Sequence, residues 1–218
     1  MTANTSAHIA RLQGLYAITD EKLIPEAHFS SIVDQALQGG TRIIQYRDKS
    51  NSRQKRLEQA MLLTKLCKQY QALCIINDDV ELAAAVNADG VHLGKDDVRL
   101  AEARNRLGEN AIIGISCYND ISLAINAKKN GADYVAFGAM FSSPTKPEAV
   151  NAPLELITQA KQQLDIPVCT IGGINADNAS RLVSQGADMI AVISTLFAAD
   201  SIKKTAQQLA SCFTTKVV

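Results

Sequence analysis

The stretch LCIINDDVELAAAVNADGVHL, residues 73–93, holds the fold in miniature. An apolar run, LCIIN, stops at two adjacent carboxylates. A helix-forming segment follows, and a turn through Asn87-Ala88-Asp89-Gly90 returns the chain to a second apolar run, GVHL. Both runs are almost wholly apolar rather than alternating, which is the signature of a strand covered on both faces. A strand, a helix and a strand in this order form a parallel βαβ unit.

The same unit recurs along the chain. Strand-like runs are read at GLYAIT (14–19), TRIIQY (41–46), LCIIN (73–77), GVHL (90–93), AIIGIS (111–116), YVAFG (134–138), VCTIG (168–172) and MIAVIS (189–194), eight in all. Segments such as FSSIVDQALQ, RQKRLEQAMLLTKLCKQY, PLELITQAKQQL and ADNASRLVSQ lie between them, with apolar residues spaced by three and four. A faint internal repeat supports this. QGGTRII, NADGVHL, NGADYVAF and QGADMIAV each place a small or acidic turn just before a strand. Eight βα units in about 200 residues fit a (β/α)8 barrel. The alternative, an open doubly wound sheet, would want a glycine-rich dinucleotide fingerprint after the first strand, and none is there. The expectation is one α/β domain, a TIM barrel over residues 14–212, with residues 1–13 as an appended segment.

Bulk composition narrows the partners. The 218 residues are 47% apolar and 20% charged, with formal net charge zero and no tryptophan. Nothing in that balance favours nucleic acid or an anionic membrane. The five cysteines are scattered and lack C-x-x-C spacing, so they read as reduced thiols, three of them (Cys74, Cys117, Cys169) in or beside apolar runs. The N-terminal stretch has no apolar signal region, and no run of about 18 apolar residues occurs. The expected location is cytoplasmic. Self-association is left open.

In a barrel of this type the chemistry sits at the C-terminal ends of the strands. After the second run come Gln45, Tyr46, Arg47, Asp48 and Lys49. After the third come Asn77, Asp78 and Asp79, and after the fourth Lys95, Asp96 and Asp97. The third and fourth strands are neighbours, roughly 5 Å apart, so the two acidic pairs meet at one rim. Carboxylates that close repel unless a cation lies between them, and magnesium is the natural candidate. Each Asp has a plainer reading as a helix N-cap, and one of each pair can cap while the other binds metal. Magnesium implies a phosphorylated ligand. Arg47 and Lys49 can hold phosphate, and the loop Ser142-Ser143-Pro144-Thr145-Lys146 offers hydroxyls and a cation. At the far side, Gly172-Gly173 and Ser194 stand after the seventh and eighth strands, where barrels commonly bind phosphate. Two anion sites facing each other suit a reaction that joins two phosphorylated small molecules.

This ordered set of QYRDK, NDD, GVHLGKDD, GIS, the PTK loop, IGGI at 171–174 and AVIS at 191–194 resembles the thiamine-phosphate synthase family over residues 14–197. The resemblance implies a magnesium-dependent transferase that couples a pyrimidine diphosphate to a thiazole phosphate, with or without a carboxylate on the thiazole. It implies Asp78 and Asp97 as metal ligands. Gln45, Arg47, Lys49, Asn77, Ser116 and Lys146 would hold the pyrimidine diphosphate, with Arg47, Lys49, Ser116 and Lys146 assisting the chemistry. Ser143, Thr145, Gly173, Ile193 and Ser194 would hold the thiazole phosphate. The chain departs from the family where Ser142 replaces a usual proline, Ser143 an often-seen threonine and Lys95 a usual glutamine. His92 reads as a strand residue facing either the barrel interior or the helices. The rivals are a thiazole tautomerase of the same superfamily, a noncatalytic binding barrel, and a barrel isomerase or aldolase. The retained charged rim argues against the first two, and no catalytic Lys or Glu/His pair supports the third.

Overall fold

The computed structural model describes residues 10–94, 100–142 and 151–214. Its eight strands are β1 (Gly14–Ile18), β2 (Ile43–Tyr46), β3 (Leu73–Asn77), β4 (Gly90–Leu93), β5 (Ile112–Tyr118), β6 (Tyr134–Phe137), β7 (Val168–Ile171) and β8 (Met189–Val192). Each pairs in parallel with the next, and β8 closes on β1. The connecting helices are α1 (Phe29–Gln38), α2 (Arg53–Gln69), α3 (Val80–Val86), α4 (Leu100–Leu107), α5 (Ile121–Lys129), α6 (Glu155–Gln163) and α7 (Ala179–Ser184). After β8 come the one-turn α8 (Ser194–Phe197) and α9 (Ile202–Ser211). The chain is therefore a (β/α)8 barrel.

Two cores account for the doubly apolar strands. One set of alternate residues, including Tyr16, Ile43, Ile75, Ile112, Tyr134 and Met189, fills the barrel interior. The other set, including Ile44, Cys74, Val91, Ile113, Val135 and Ile190, packs under the helices. Leu12, just before β1, is 1% exposed and belongs to the interior set. The barrel core thus reaches into the segment ahead of residue 14.

The turn repeat has a structural cause. Asp89, Asp133 and Asp188 each precede an even-numbered strand and clip the base of the strand before it. Their carboxylates accept the N–H of Cys74, Ile113 and Val168 at 2.8, 2.7 and 2.8 Å. Their own N–H groups donate back to the carbonyls of the same three residues. Such clips satisfy strand-base backbone groups at the end of the barrel away from the chemistry.

Only β3 and β4 keep the bounds read from the sequence: β1, β6 and β7 end one residue earlier and β8 two residues earlier, and β2 and β5 differ as well. β2 begins at Ile43 rather than Thr41. β5 runs on to Tyr118, because its register with β6 shifts between Ser116 and Tyr118. That bulge puts Tyr118 at φ +52°, and its side chain is exposed. Cys67, Cys74, Cys117 and Cys169 are buried, and burial pushes the Cys117 thiol up to about 12.

Candidate active site

The rim at β2 and β3 is built from short-range contacts. Asn77 ends β3, and the next residue turns sharply. Asp78 has φ +64°, a left-handed conformation that its short polar side chain tolerates at some cost. Its carboxylate oxygen lies 2.6 Å from Lys49 Nζ and also accepts from Asn77 Nδ2. Asp79 faces the other way: it caps α3, accepting the Leu82 N–H at 2.9 Å, and reaches Arg56 at 3.4 Å. The two adjacent carboxylates divide their work, one to the helix and one to the mouth.

Arg47 is anchored rather than loose. Its backbone N–H donates to Thr19 Oγ1 at 2.8 Å, and the same hydroxyl donates to the Arg47 carbonyl at 3.0 Å. Its guanidinium lies 3.8 Å from Asp20. Asp48 points back into the structure. Burial raises its pKa, but the Lys55 ammonium at 2.8 Å and the Ser50 contacts outweigh this and hold the carboxyl below the usual range.

Across the mouth, the β6 and β7 loops are zipped together. Met140 and Phe141 donate backbone N–H groups to Ile171 and Gly172. Gly172 and Gly173 have φ +103° and +63°. A Cβ on Gly173 would lie 2.6 Å from the carbonyl oxygens of Phe141 and Ser142, so only glycine fits. Thr195 Oγ1 donates to the Ile174 carbonyl at 2.6 Å, tying the β7 loop to α8, the short extra helix after β8. Gly173, Ile193 and Ser194 thereby share one edge of the mouth.

The family pattern described as thiamine monophosphate synthase matches residues 15–196 of this chain, from the second residue of β1 to the third residue of α8. The chain belongs to the thiamine monophosphate synthase family. It is 51% identical over 203 residues to the thiamine-phosphate synthase of Thioalkalivibrio sulfidiphilus, covering 93% of this chain and 96% of that one. It is 50% identical over 208 residues to that of Alcanivorax borkumensis, covering 94% and 96%. Among solved structures it is similar to thiamine phosphate pyrophosphorylase from Pyrococcus furiosus, with TM-score 0.83, 37% identity and coverage of 93% and 96%. A 3-hexulose-6-phosphate synthase at 14% identity and TM-score 0.67 shares the fold alone. Membership makes the chain a transferase of thiamine biosynthesis.

Within this family member, Lys49, Asn77 and Asp78 form one cluster, and Gln45 and Ser116 stand on the interior faces of β2 and β5. Asp97 and the loop residues Ser143, Thr145 and Lys146 lie outside the described residues. Among the described residues, no group of three His, Cys, Asp or Glu side chains is spaced to hold a metal. No helix among them is long and apolar enough to cross a membrane.

The barrel interior also holds a polar chain that the apolar runs conceal. Gln45 Nε2 donates to Tyr16 Oη at 2.8 Å, and Tyr16 Oη lies 2.9 Å from Tyr134 Oη. Tyr134 Oη lies 2.9 Å from His92 Nδ1, and His92 Nε2 lies 2.8 Å from Ser116 Oγ. The Tyr134 and His92 rings stack with centroids 5.6 Å apart. Burial pushes the two phenols up and lowers His92 to about 4, although Asp78 opposes the latter shift. The findable signal was a polar atom within each otherwise apolar run. A cleft of about 670 Å3 at the opposite end of the barrel, lined by Arg11, Arg42 and Phe213 among others, contains none of these residues.

Proposed function

We propose that this synthase couples 4-amino-5-hydroxymethyl-2-methylpyrimidine diphosphate to a thiazole phosphate, giving thiamine phosphate and diphosphate with magnesium present. The observation that carries the reading is the Lys49–Asp78–Asn77 cluster at the β3 mouth, across the barrel from the glycine-built edge at β7 and β8.

The oxygen donors at this rim, the Asp78 carboxylate and the Asn77 side-chain amide, are of the type a hard divalent cation takes. Asp78 brings a carboxylate to the rim in a conformation that its backbone disfavours, and the Lys49 ammonium already offsets its charge there. Asp78 would hold magnesium, with Asp97 as the second carboxylate. Bound magnesium would neutralise charge on the diphosphate and make it a better leaving group.

The chain's own residues do the rest. Lys49, Arg47 and Lys146 hold the diphosphate by charge, Arg47 through its planar fork. Gln45, Asn77 and Ser116 orient the pyrimidine. The C–O bond to diphosphate breaks and its electron pair departs with the diphosphate. The cation left on the methylene carbon is stabilised by the aminopyrimidine ring, and the thiazole nitrogen lone pair then forms the C–N bond. Backbone N–H groups around Gly173, Ile193 and Ser194, with Ser143 and Thr145, seat the thiazole phosphate. Rate enhancement comes from charge stabilisation and positioning, so no single acid or base is required. The proposed setting is cytoplasmic.

The test supplies purified protein with both substrates and magnesium. Thiamine phosphate and diphosphate should appear in equal amounts, and only when both substrates are present. A folded protein that makes neither would overturn the reading.

A further inference from the structure

The buried chain from Gln45 to Ser116 has a direction. Tyr16, Tyr134 and Gln45 are 1%, 0% and 3% exposed, so their polar atoms depend on one another. Each hydroxyl has one proton to give. Tyr16 Oη accepts from Gln45 Nε2, so among the described residues its own proton goes to Tyr134 Oη, 2.9 Å away. Tyr134 must then give its proton to His92 Nδ1. An Nδ1 that accepts carries no proton, so the imidazole is the Nε2–H tautomer, and that N–H donates to Ser116 Oγ. The Ser116 proton is left over at one end of the chain, and Gln45 Oε1 is left over at the other.

We propose that Tyr16, Tyr134 and His92 are positioning residues that fix the hydrogen-bond polarity of the pyrimidine seat, so that Gln45 presents a carbonyl acceptor and Ser116 a hydroxyl donor. The seat then takes a ligand with an N–H on the β2 side and an acceptor atom on the β5 side. An amine-bearing heteroaromatic diphosphate meets both demands. An analogue with a carbonyl in place of the amine would meet Gln45 acceptor to acceptor.

The fold makes room for this device at one position. Gly114, one strand over from Tyr134, would carry a Cβ only 2.0 Å from Tyr134 Cζ and 2.4 Å from its hydroxyl. The missing side chain is what lets Tyr134 stand between Tyr16 and His92. Gly114 and Ser116 thus serve one purpose from the same strand.

The proposal rests on Gln45 and Ser116 contacting the pyrimidine, and it is tested separately from that reading by the His92 tautomer in the ligand-free full chain. The protein has three histidines, so 15N imidazole spectra are simple, and the His92 signal is assigned by its loss in His92→Gln. The expected result is Nε2–H in the unmodified protein, with the bare Nδ1 resonance moving downfield in Tyr134→Phe as it loses its hydrogen bond. Nδ1–H in the unmodified protein, or an Nδ1 resonance indifferent to Tyr134→Phe, would overturn the proposal. In turnover, Tyr134→Phe and Tyr16→Phe should lower kcat/KM for the pyrimidine diphosphate about tenfold and leave the KM for thiazole phosphate unchanged. Equal effects on both substrates would mark a merely structural role. Absence of product from the unmodified protein would sink the synthase reading and leave the tautomer result standing.

Discussion

Lys49 Nζ sits 2.6 Å from a carboxylate oxygen of Asp78, at the mouth of the barrel. The lysine side chain is 52% exposed, so the pair contributes no more than about 1 kcal/mol to folding. Asp78 meanwhile occupies a left-handed backbone conformation that costs an ordinary residue about 1 kcal/mol or more. Stability does not explain an aspartate here. Asp78→Gly relieves the backbone, so its stability should stay within about 1 kcal/mol of the original while turnover falls at least about tenfold. Chemical denaturation and product formation on the same preparation check both halves.

The adjacent Asp79 should behave in the opposite way. Asp79→Ala removes the α3 cap at Leu82 and the 3.4 Å contact with Arg56. The expected cost is about 1 kcal/mol of stability, with turnover within about twofold. A large loss of activity at full stability would mean that the two carboxylates had been assigned the wrong way round.

At the opposite edge, Gly173→Ala adds a Cβ 2.6 Å from two backbone oxygens in a φ +63° conformation. The β6 and β7 loops must separate, at about 1–3 kcal/mol. The KM for thiazole phosphate should rise about tenfold or more while that for the pyrimidine diphosphate holds. Steady-state kinetics with each substrate varied in turn reads this directly.

Stability should also depend on His92. Its folded-state pKa is lowered by burial to about 4, below the unfolded value of 6.5. The unfolded chain therefore binds a proton first as pH falls. The stabilisation is complete above about pH 6.5 and is lost progressively towards pH 4. Between pH 7 and pH 5 the loss from this one group is about 2 kcal/mol. Denaturation midpoints at the two pH values should show it, and His92→Gln should flatten the dependence.

Much of this architecture was legible in the sequence because its causes are local. Strands buried on both faces read as unbroken apolar runs, and the acidic turns at Asp89, Asp133 and Asp188 repeat because each makes the same strand-base clip. The rim residues could be read from their place after each run. The inner chain of Tyr16, Tyr134 and His92 left only one sign, a polar atom within each apolar run, because a doubly apolar strand does not tell which alternate residues point inward. The end of β5 was missed because a bulge depends on the partner strand, and nothing in GISCY announces it. The anchoring of Arg47 by Thr19 and Asp20 joins residues 28 and 27 positions apart, which only the parallel pairing of β1 with β2 brings together.

The most direct measurement is a coupled assay of thiamine phosphate and diphosphate with both substrates, run across a magnesium titration and with chelator, for the unmodified protein and Asp78→Asn. Equal yields of the two products are expected, with none in chelator and a variant that needs far more magnesium for a much lower rate. Full turnover in chelator, or a variant with an unchanged magnesium dependence, would contradict the proposed role of magnesium.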